Sequence, residues 1–346
     1  MESLWDPLPE IAELEALIRR GGDLVRHEVI CGVKHRGEYL PVYCIEMGST
    51  DPSVPAVGFF GGIHGVERIG THVVLSYLHT LIERLHWDDS LTQLLQQVRL
   101  VFVPLANPGG MRQETRCNPA GVDLMRNAPV DAEGKVAFLL GGQRVSRYLP
   151  WYRGRKGDPM QPEAQAVCDA VEQKLFQHSF SLALDCHSGF GSVDRIWFPY
   201  ARTSKPIDCL ADIYALRTLF RTTHPHHSIY VIEPQSHQYT THGDIWDYLY
   251  DRSKASSRGL FMPFTLEMGS WLWVKKNPLQ VFDLPGMFNP VMPHRHRRIL
   301  RMHVTFLDFL VRAAISHARW RPHEEKRPWL HDSAVAYWSQ KQKKRR

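Results

Sequence analysis

The chain of 346 residues, 43% of them hydrophobic, is long enough for one large domain or two modest ones and suits a globular core. It contains no apolar run that approaches the roughly 18 residues needed to cross a bilayer, so we expect no membrane partner. The net charge of +6 arises after residue 318, where nine Lys/Arg stand against three Asp/Glu, while the preceding residues balance at 33 against 33. We therefore expect a domain at 1–318 followed by a solvated basic tail at 319–346, and we do not expect nucleic acid as a partner.

The cysteines and the first residues bear on the cellular compartment. The six cysteines are scattered without a C-x-x-C pair, which favours reduced thiols over a disulfide framework. The N-terminal stretch MESLWDPLPE is acidic and broken by prolines, unlike the basic and then apolar start of a signal peptide. Both observations predict a cytoplasmic protein.

The first part of the chain shows a helix, a strand pair, a buried strand and a second helix. PEIAELEALIRRGG has apolar residues at helical spacing and ends in glycines, which predicts a short amphipathic helix. HEVICGV and YLPVYCIEM have the composition of a strand pair. AVGFFGG is a short buried strand that leads to His64, and residues 67–85 keep apolar residues at helical spacing.

The rest of the chain continues the alternation of buried strands and helices. VRLVFVPLAN is a near-continuous apolar strand, SFSLALDCHSG follows a predicted helix at 161–178, and FMPFTLEMGS is a further strand. Leu300, Val304, Leu307 and Val311 line one face of a late helix. Strands without polar alternation, separated by helices, indicate a single α/β domain whose sheet is covered on both faces.

Polar residues interrupt these strands at their C-terminal ends, where open α/β sheets place their sites. The ends GGIHGVE, LDCHSG and TLEMGS contribute His64 and Glu67, then His187, then Glu267. Two imidazoles and a carboxylate suffice for zinc with an open position, as a catalytic zinc requires. A second carboxylate outside the ligand set can act as general base on the bound water. Asp185 alternates with His187 onto the same strand face, where it either orients that ligand or caps the site.

Taken together, the motifs resemble the zinc carboxypeptidase family of the carboxypeptidase A type. His64-x-x-Glu67, a distant His187-Ser188 and Glu267 in TLEMG occur in the family's order. RCNPAGVDLMRN is similar to the family's segment ending in Asp-x-Asn-Arg-Asn, most closely in the cytosolic and bacterial branch. The similarity runs from about residue 56 to residue 270. It implies a mixed, mostly parallel, twisted sheet with helices on both faces, and a metallocarboxypeptidase that removes a C-terminal amino acid.

The resemblance assigns the metal and the catalytic groups. His64, Glu67 and His187 would bind one zinc ion per chain, and Glu267 would activate the zinc-bound water. Arg116 would polarise the scissile carbonyl and stabilise the oxyanion. This role agrees with the chemistry, because a tetrahedral intermediate needs positive charge at its oxygen.

The resemblance also assigns the substrate-binding residues, with one departure from the family. Arg126, followed by Asn127, would hold the terminal carboxylate of the substrate through the planar fork of its guanidinium. Tyr250, or Tyr248 in the other register, would close over the substrate. Met125 stands where the family has Asn, so one hydrogen bond to the carboxylate is absent, a loss of about 1 to 3 kcal/mol. We expect hydrolysis to persist, while specificity for a free C-terminus stays open.

Two other functions are to be weighed against the peptidase. The aspartoacylase and succinylglutamate desuccinylase group shares H-x-x-E, the later His and a Glu in a similar E-x-G setting, and it cleaves N-acyl amino acids. A non-catalytic zinc-binding protein with a tail that contacts nucleic acid would have no use for Glu267 at the water position. Arg116 at its spacing and the Asp247–Tyr250 stretch favour the peptidase. The expected substrate is a peptide or an N-acyl amino acid with a free carboxylate; its preferred C-terminal residue and the oligomeric state stay open.

Overall fold

A computed structural model describes residues 8–256 and 258–343, which form one mixed sheet with helices on both faces. The strands are β1 (Arg26–His35), β2 (Glu38–Gly48), β3 (Ala56–Gly61), β4 (Arg99–Val103), β5 (Phe180–Ser188), β6 (Arg195–Phe198), β7 (Val231–Pro234) and β8 (Leu260–Met268). The α-helices are α1 (Pro9–Gly21), α2 (Arg68–Leu85), α3 (Asp89–Leu95), α4 (Pro108–Arg112), α5 (Pro162–Lys174), α6 (Leu210–Thr223), α7 (Ile245–Ser256), α8 (Trp271–Lys276), α9 (Leu284–Phe288), α10 (Pro293–Ile315), α11 (His317–Trp320) and α12 (Arg327–Lys343). The predicted α/β fold is confirmed.

The eight strands lie in the order β1-β2-β4-β3-β5-β8-β6-β7. The four central strands β4, β3, β5 and β8 run parallel, while β1 and β2 form an antiparallel pair that joins β4 antiparallel. On the other side β6 runs antiparallel to β8 and parallel to β7. The mixed sheet is as predicted, although β6 and β7 themselves were not. Each of them has only four residues, too few for a clear periodic pattern.

Consecutive residues of the central strands pack into two different cores. Phe59 belongs to the core beneath α2 and α10, and Phe60 belongs to the core beneath α5 and α7. Leu184 and Ala183 of β5 divide in the same way. Because successive side chains of a strand point to opposite faces and both faces are covered, these strands are apolar throughout.

The structure also describes the thiols and the apolar character of the helices. All six cysteines are free. Within residues 8–256 and 258–343, none of the helices has the length and apolar character that a bilayer span requires. The first seven residues, which entered the signal-peptide argument, lie outside the described residues.

The expectation of a solvated tail after residue 318 is wrong for α12. Ala334 and Trp338 of this helix are buried in the main core. The indole Nε1 of Trp338 donates to the carbonyl of Ile232 at 2.9 Å, and Arg327 pairs with the buried carboxylate of Asp212. A charge count does not register the apolar side chains that anchor this helix. The last three residues of the basic end KQKKRR, 344–346, lie outside the described residues.

Candidate active site

The first candidate side chains lie in the turn between β3 and α2. His64 lies within this turn, Glu67 directly precedes the first residue of α2, and both side chains are buried. Gly65 permits a close approach here, because a Cβ on it would lie 2.0 Å from the carbonyl carbon of Gly110. The turn therefore packs backbone to backbone against α4, which holds His64 and Glu67 at the end of β3.

His187 and Glu267 lie side by side at the ends of β5 and β8. The two strands are parallel, and their register pairs His187 with Glu267 directly. Both side chains are buried. Since the carboxyl ends of β3, β5 and β8 meet at one edge of the sheet, residues distant in sequence come together there, as the sequence predicts.

Three side chains converge at this edge on one point. The Nδ1 atom of His64 lies 2.8 Å from Oε1 of Glu67, and Nδ1 of His187 lies 2.9 Å from Oε2 of the same carboxylate. The two Nδ1 atoms are 3.1 Å apart. Across the described ranges, this is the one group of His, Cys, Asp or Glu side chains placed to hold a metal ion, with its ligand atoms within 4.8 Å of one another.

The outer nitrogens of both histidines are held by buried carboxylates. Nε2 of His187 lies 2.6 Å from Asp185, and Nε2 of His64 lies 3.1 Å from Asp123. An ionised carboxylate only accepts hydrogen bonds, so each Nε2 carries the proton and each Nδ1 turns a lone pair inward. Two lone pairs and the Glu67 carboxylate then face one another, an arrangement that a cation stabilises. Two imidazoles and one carboxylate are the donor set of a catalytic zinc, so the residues fit this ion.

The electrostatics of the site lead to the same conclusion. Burial alone would lower the pKa of His187, but the charges of Asp185 and Glu67 raise it well above its usual value. Burial alone would raise the pKa of Glu67, but His64 and His187 hold it well below the usual range. The site therefore favours positive charge between these groups and an ionised Glu67.

Asp185 and Asp123 have further partners that lock them in place. Asp185 also accepts from the indole Nε1 of Trp246 at 2.8 Å. Of the two roles expected for Asp185, its contact with His187 supports the one that orients this histidine. Asp123 was not among the predicted site residues. It accepts from Nε of Arg116 at 2.9 Å as well as from His64. The available signal was its place in RCNPAGVDLMRN, between two arginines already selected.

Glu267 is the carboxylate beside the metal-binding group that does not belong to it. Its Oε1 accepts from the backbone N–H of Phe190 at 2.9 Å. Burial raises the pKa of Glu267 to about 8, and the negative charge of Glu67 adds to the rise. A buried carboxyl group that titrates near neutral pH is suited to accept and return a proton.

Arg116 lies beside the same group and is fixed by two carboxylates. Its Nη1 donates to Oε1 of Glu67 at 3.2 Å, and its Nε donates to Asp123. Burial alone would lower the pKa of Arg116, but Asp123 and Glu67 raise it, so the guanidinium stays charged. The site thus has a permanent positive charge next to the candidate metal position.

Arg126 supplies a second guanidinium in the cleft of about 200 Å³ that opens on these residues. It is buried, it lines the cleft together with Tyr239, and its Nη1 donates to the backbone oxygen of Met125 at 3.3 Å. Its Nε has no hydrogen-bond partner among the described residues. The rest of the cleft wall is largely aromatic, with contributions from Trp151, Phe190, Trp197, Tyr239 and Phe288. The free Nε leaves Arg126 able to bind an additional anionic group.

Comparison with known proteins decides the family. The sequence model of the zinc carboxypeptidase family matches residues 11–276, most of the chain. The chain belongs to the zinc carboxypeptidase family. Carboxypeptidase D of Homo sapiens is 25% identical over 192 residues, which cover 54% of this chain and 12% of that protein. Metallocarboxypeptidase A of Trichophyton tonsurans is 24% identical over 219 residues, 59% of this chain and 49% of that protein.

The chain spans less than half the length of these curated relatives. Solved structures show the same fold. Carboxypeptidase A from Helicoverpa armigera has a TM-score of 0.66 at 19% identity, covering 88% of this chain and 72% of that one. Thrombin activatable fibrinolysis inhibitor has a TM-score of 0.64 at 18% identity with the same coverage. The deacylase and the non-catalytic zinc-binding interpretations are not favoured by these comparisons.

The tyrosine that lines the cleft is Tyr239, and the predicted Tyr250 and Tyr248 lie elsewhere. Tyr250 lies in the main core, where it packs 5.7 Å from the ring of Tyr200, and Tyr248 is partly buried below the guanidinium of Arg252. Neither lines the cleft as far as the structure describes it. Tyr250 lies on α7, which begins at residue 245, and it belongs to the face of this helix that packs into the main core.

Asn127, predicted as a substrate-binding residue, is not among the residues that line the cleft. Its side-chain nitrogen donates to the carbonyl of Arg153 at 2.9 Å, and its oxygen accepts from the backbone N–H of Gln161 at 2.6 Å. Both ends of the amide are thus used to tie neighbouring loops together. The adjacent Arg126 and Met125 do line the cleft.

Proposed function

We propose that this chain is a zinc-dependent carboxypeptidase that hydrolyses the last peptide bond of its substrate. The observation that carries the proposal is the composition of one cleft. It holds the group of His64, Glu67 and His187, with Glu267 outside this group, and two guanidinium groups stand at its wall. We propose one zinc ion per chain, because the three side chains converge on a single point.

Each side chain has a defined task in this proposal. Zinc, when bound, supplies a Lewis acid that polarises the scissile carbonyl and makes water more acidic. Glu267 accepts a proton from the attacking water and returns it to the nitrogen of the leaving amino acid. Arg116 stabilises the negative charge that develops on the carbonyl oxygen, since its own charge is already fixed by two carboxylates.

The substrate end is read by Arg126. A free carboxylate can occupy the unpaired side of its guanidinium, in a buried place where a charge-assisted hydrogen bond is strong. Met125, at the same wall, offers only a weakly accepting sulfur in its side chain. We therefore propose peptides with a free carboxylate as substrates, bound by one guanidinium without an additional amide donor. The six free thiols support a cytoplasmic location for this activity.

The test measures zinc binding and peptide hydrolysis separately. Purified protein is assayed for zinc by elemental analysis and for hydrolysis of N-blocked dipeptides with a free or an amidated C-terminus. Glu267→Gln should keep its zinc and lose about 10³-fold in kcat. His187→Ala should lose the zinc as well. Glu172→Gln makes the same chemical change in an ion pair outside the cleft and should alter neither quantity.

Two results would contradict the proposal. If Glu267→Gln loses zinc while His187→Ala retains it, the ligand assignment is wrong. If the wild-type protein cleaves N-acyl amino acids but no peptide, the metal site stands and the peptidase assignment fails.

A further inference from the structure

The segment that follows β8 exposes an unusual number of apolar side chains. Of the 18 large hydrophobic residues that are exposed in the described chain, eight lie between Trp271 and Met292. Phe282 is 87% exposed, Leu279 74% and Trp271 52%. Single exposed apolar residues are ordinary, but a contiguous group marks a surface that contacts something. We refer to the exposed side chains of residues 271–301 as the apolar–basic surface.

This exposure belongs to an ordered part of the fold. α8, the 3-10 turn at residues 278–282 and α9 pack on one another. Trp273 is buried in the main core, and Gln280 donates to the carbonyl of Gly286 at 2.7 Å. Asn289 ties the end of the segment to the carbonyl of Val66 at 2.7 Å. Anchored in this way, the segment cannot turn its outer apolar residues inward.

The same surface carries unpaired positive charge. Residues 271–301 contain six Lys/Arg and one acidic residue, Asp283, whose carboxylate caps α9. Lys275 and Lys276 are exposed between Trp271 and Leu279, and Arg297 and Arg298 are exposed on the first turns of α10. Throughout the described ranges, none of these four cations forms a salt bridge. Exposed apolar side chains and these cations therefore occur together within residues 271–301.

This combination favours one kind of partner. A second copy of the chain docked by a two-fold axis through this surface would set its positive charges against each other. A bilayer with anionic headgroups offers an apolar layer and negative charge together, and Trp, Phe and Leu beside Lys and Arg are typical of segments that lie in that interface.

We propose that the apolar–basic surface docks this domain on an anionic lipid bilayer. Trp271, Leu279 and Phe282 enter the boundary of the acyl chains, while Lys275 and Lys276 contact the headgroups. The expectation of no membrane partner rested on the lack of a spanning run, and a surface contact needs none. Phe288 of the same segment lines the cleft, so docking would hold the cleft close to the bilayer.

The experiment measures sedimentation of the full chain with lipid vesicles. One set contains equal parts of phosphatidylglycerol and phosphatidylcholine, and the other is pure phosphatidylcholine. We expect binding to the anionic vesicles that weakens at high salt, and little binding to the neutral ones. Phe282→Ser and Leu279→Ser should each lower the partition coefficient about tenfold. Lys275→Gln and Lys276→Gln should each lower it about fivefold.

The controls replace one exposed apolar residue and one exposed lysine outside this surface. Trp87, which is 73% exposed at the end of α2, is replaced by Ser, and the exposed Lys34 by Gln; neither should affect partitioning. An unchanged unfolding midpoint shows that the variants are folded. Equal binding to both vesicle types, binding indifferent to the apolar variants, or no binding at all would overturn the proposal. A dimer in solution that Phe282→Ser dissociates would also overturn it, because the surface would then be a contact between copies.

Discussion

The packing of α12 yields a prediction whose size follows from the structure. Trp338 is 2% exposed, its ring lies edge-on to Phe198 at 5.1 Å between centroids, and its indole donates to the carbonyl of Ile232. Trp338→Ala removes a buried aromatic side chain, which costs about 3 to 5 kcal/mol, and leaves that carbonyl without its donor, which costs about 1 kcal/mol more. We therefore expect the free energy of unfolding to fall by about 4 to 6 kcal/mol.

Trp329→Ala is the matched control, because Trp329 lies on the same helix but is 68% exposed. The same substitution there should change the stability by no more than about 0.5 kcal/mol. Urea unfolding followed by circular dichroism measures both variants, with the slope of the transition compared to confirm that the unfolded states are alike. If the two variants lose equal stability, α12 does not pack on the domain, and the chain after residue 318 is a solvated tail after all.

Three further predictions concern the cleft and the pH response. Met125→Asn should lower KM for peptides with a free carboxylate by up to about tenfold, the value of a hydrogen bond of about 1.4 kcal/mol, and an equal gain on amidated peptides would exclude this explanation. Tyr239→Phe should lower kcat/KM about tenfold or more because it removes a hydroxyl from the cleft wall that also holds Arg126, while Tyr250→Phe stays within twofold; the reverse order in steady-state kinetics would favour the predicted Tyr250. Burial lowers the pKa of His303 to about 3 from 6.5, with His227 adding to the shift. The unfolded state then binds more protons between these values, so the stability contributed by neutral His303 is complete above pH 6.5 and falls by about 1.4 kcal/mol per pH unit below it. In urea titrations at each pH, the free energy of unfolding of His303→Gln should fall less steeply below pH 6.5 than that of the wild-type protein. Equal slopes of this free energy against pH for the two proteins would refute the reasoning.

Local patterns were sufficient to predict the centre of the fold and the metal-binding group. β3, β5 and β8 are buried on both faces, and this makes them near-continuous apolar runs that stand out in a sequence. A polar residue at the end of such a run is conspicuous for the same reason. His64, His187 and Glu267 were found in this way, without knowledge of the strand order.

The positions of side chains that depend on helix orientation were not predicted. The resemblance to the family selected Tyr250, but α7 directs that side chain into the core, and a loop that precedes the helix brings Tyr239 to the cleft. Asp123 was overlooked because its role depends on contacts with His64 and Arg116. His64 is 59 residues away in the sequence, and the seven-residue spacing to Arg116 does not follow a helix or strand pattern.

The sequence by itself predicted the α/β class from periodicity, the family from the resemblance of its motifs, and the candidate metal-binding group from residue types at strand ends. Only the tertiary structure decided which carboxylates hold the two histidines, which tyrosine faces the cleft, and that α12 is part of the core. It also showed that free cations and apolar side chains share one surface at residues 271–301, although the charges before residue 319 sum to zero. The physical reason is that contacts between distant segments and the exposure of a side chain depend on how whole elements pack, and no local pattern records that packing.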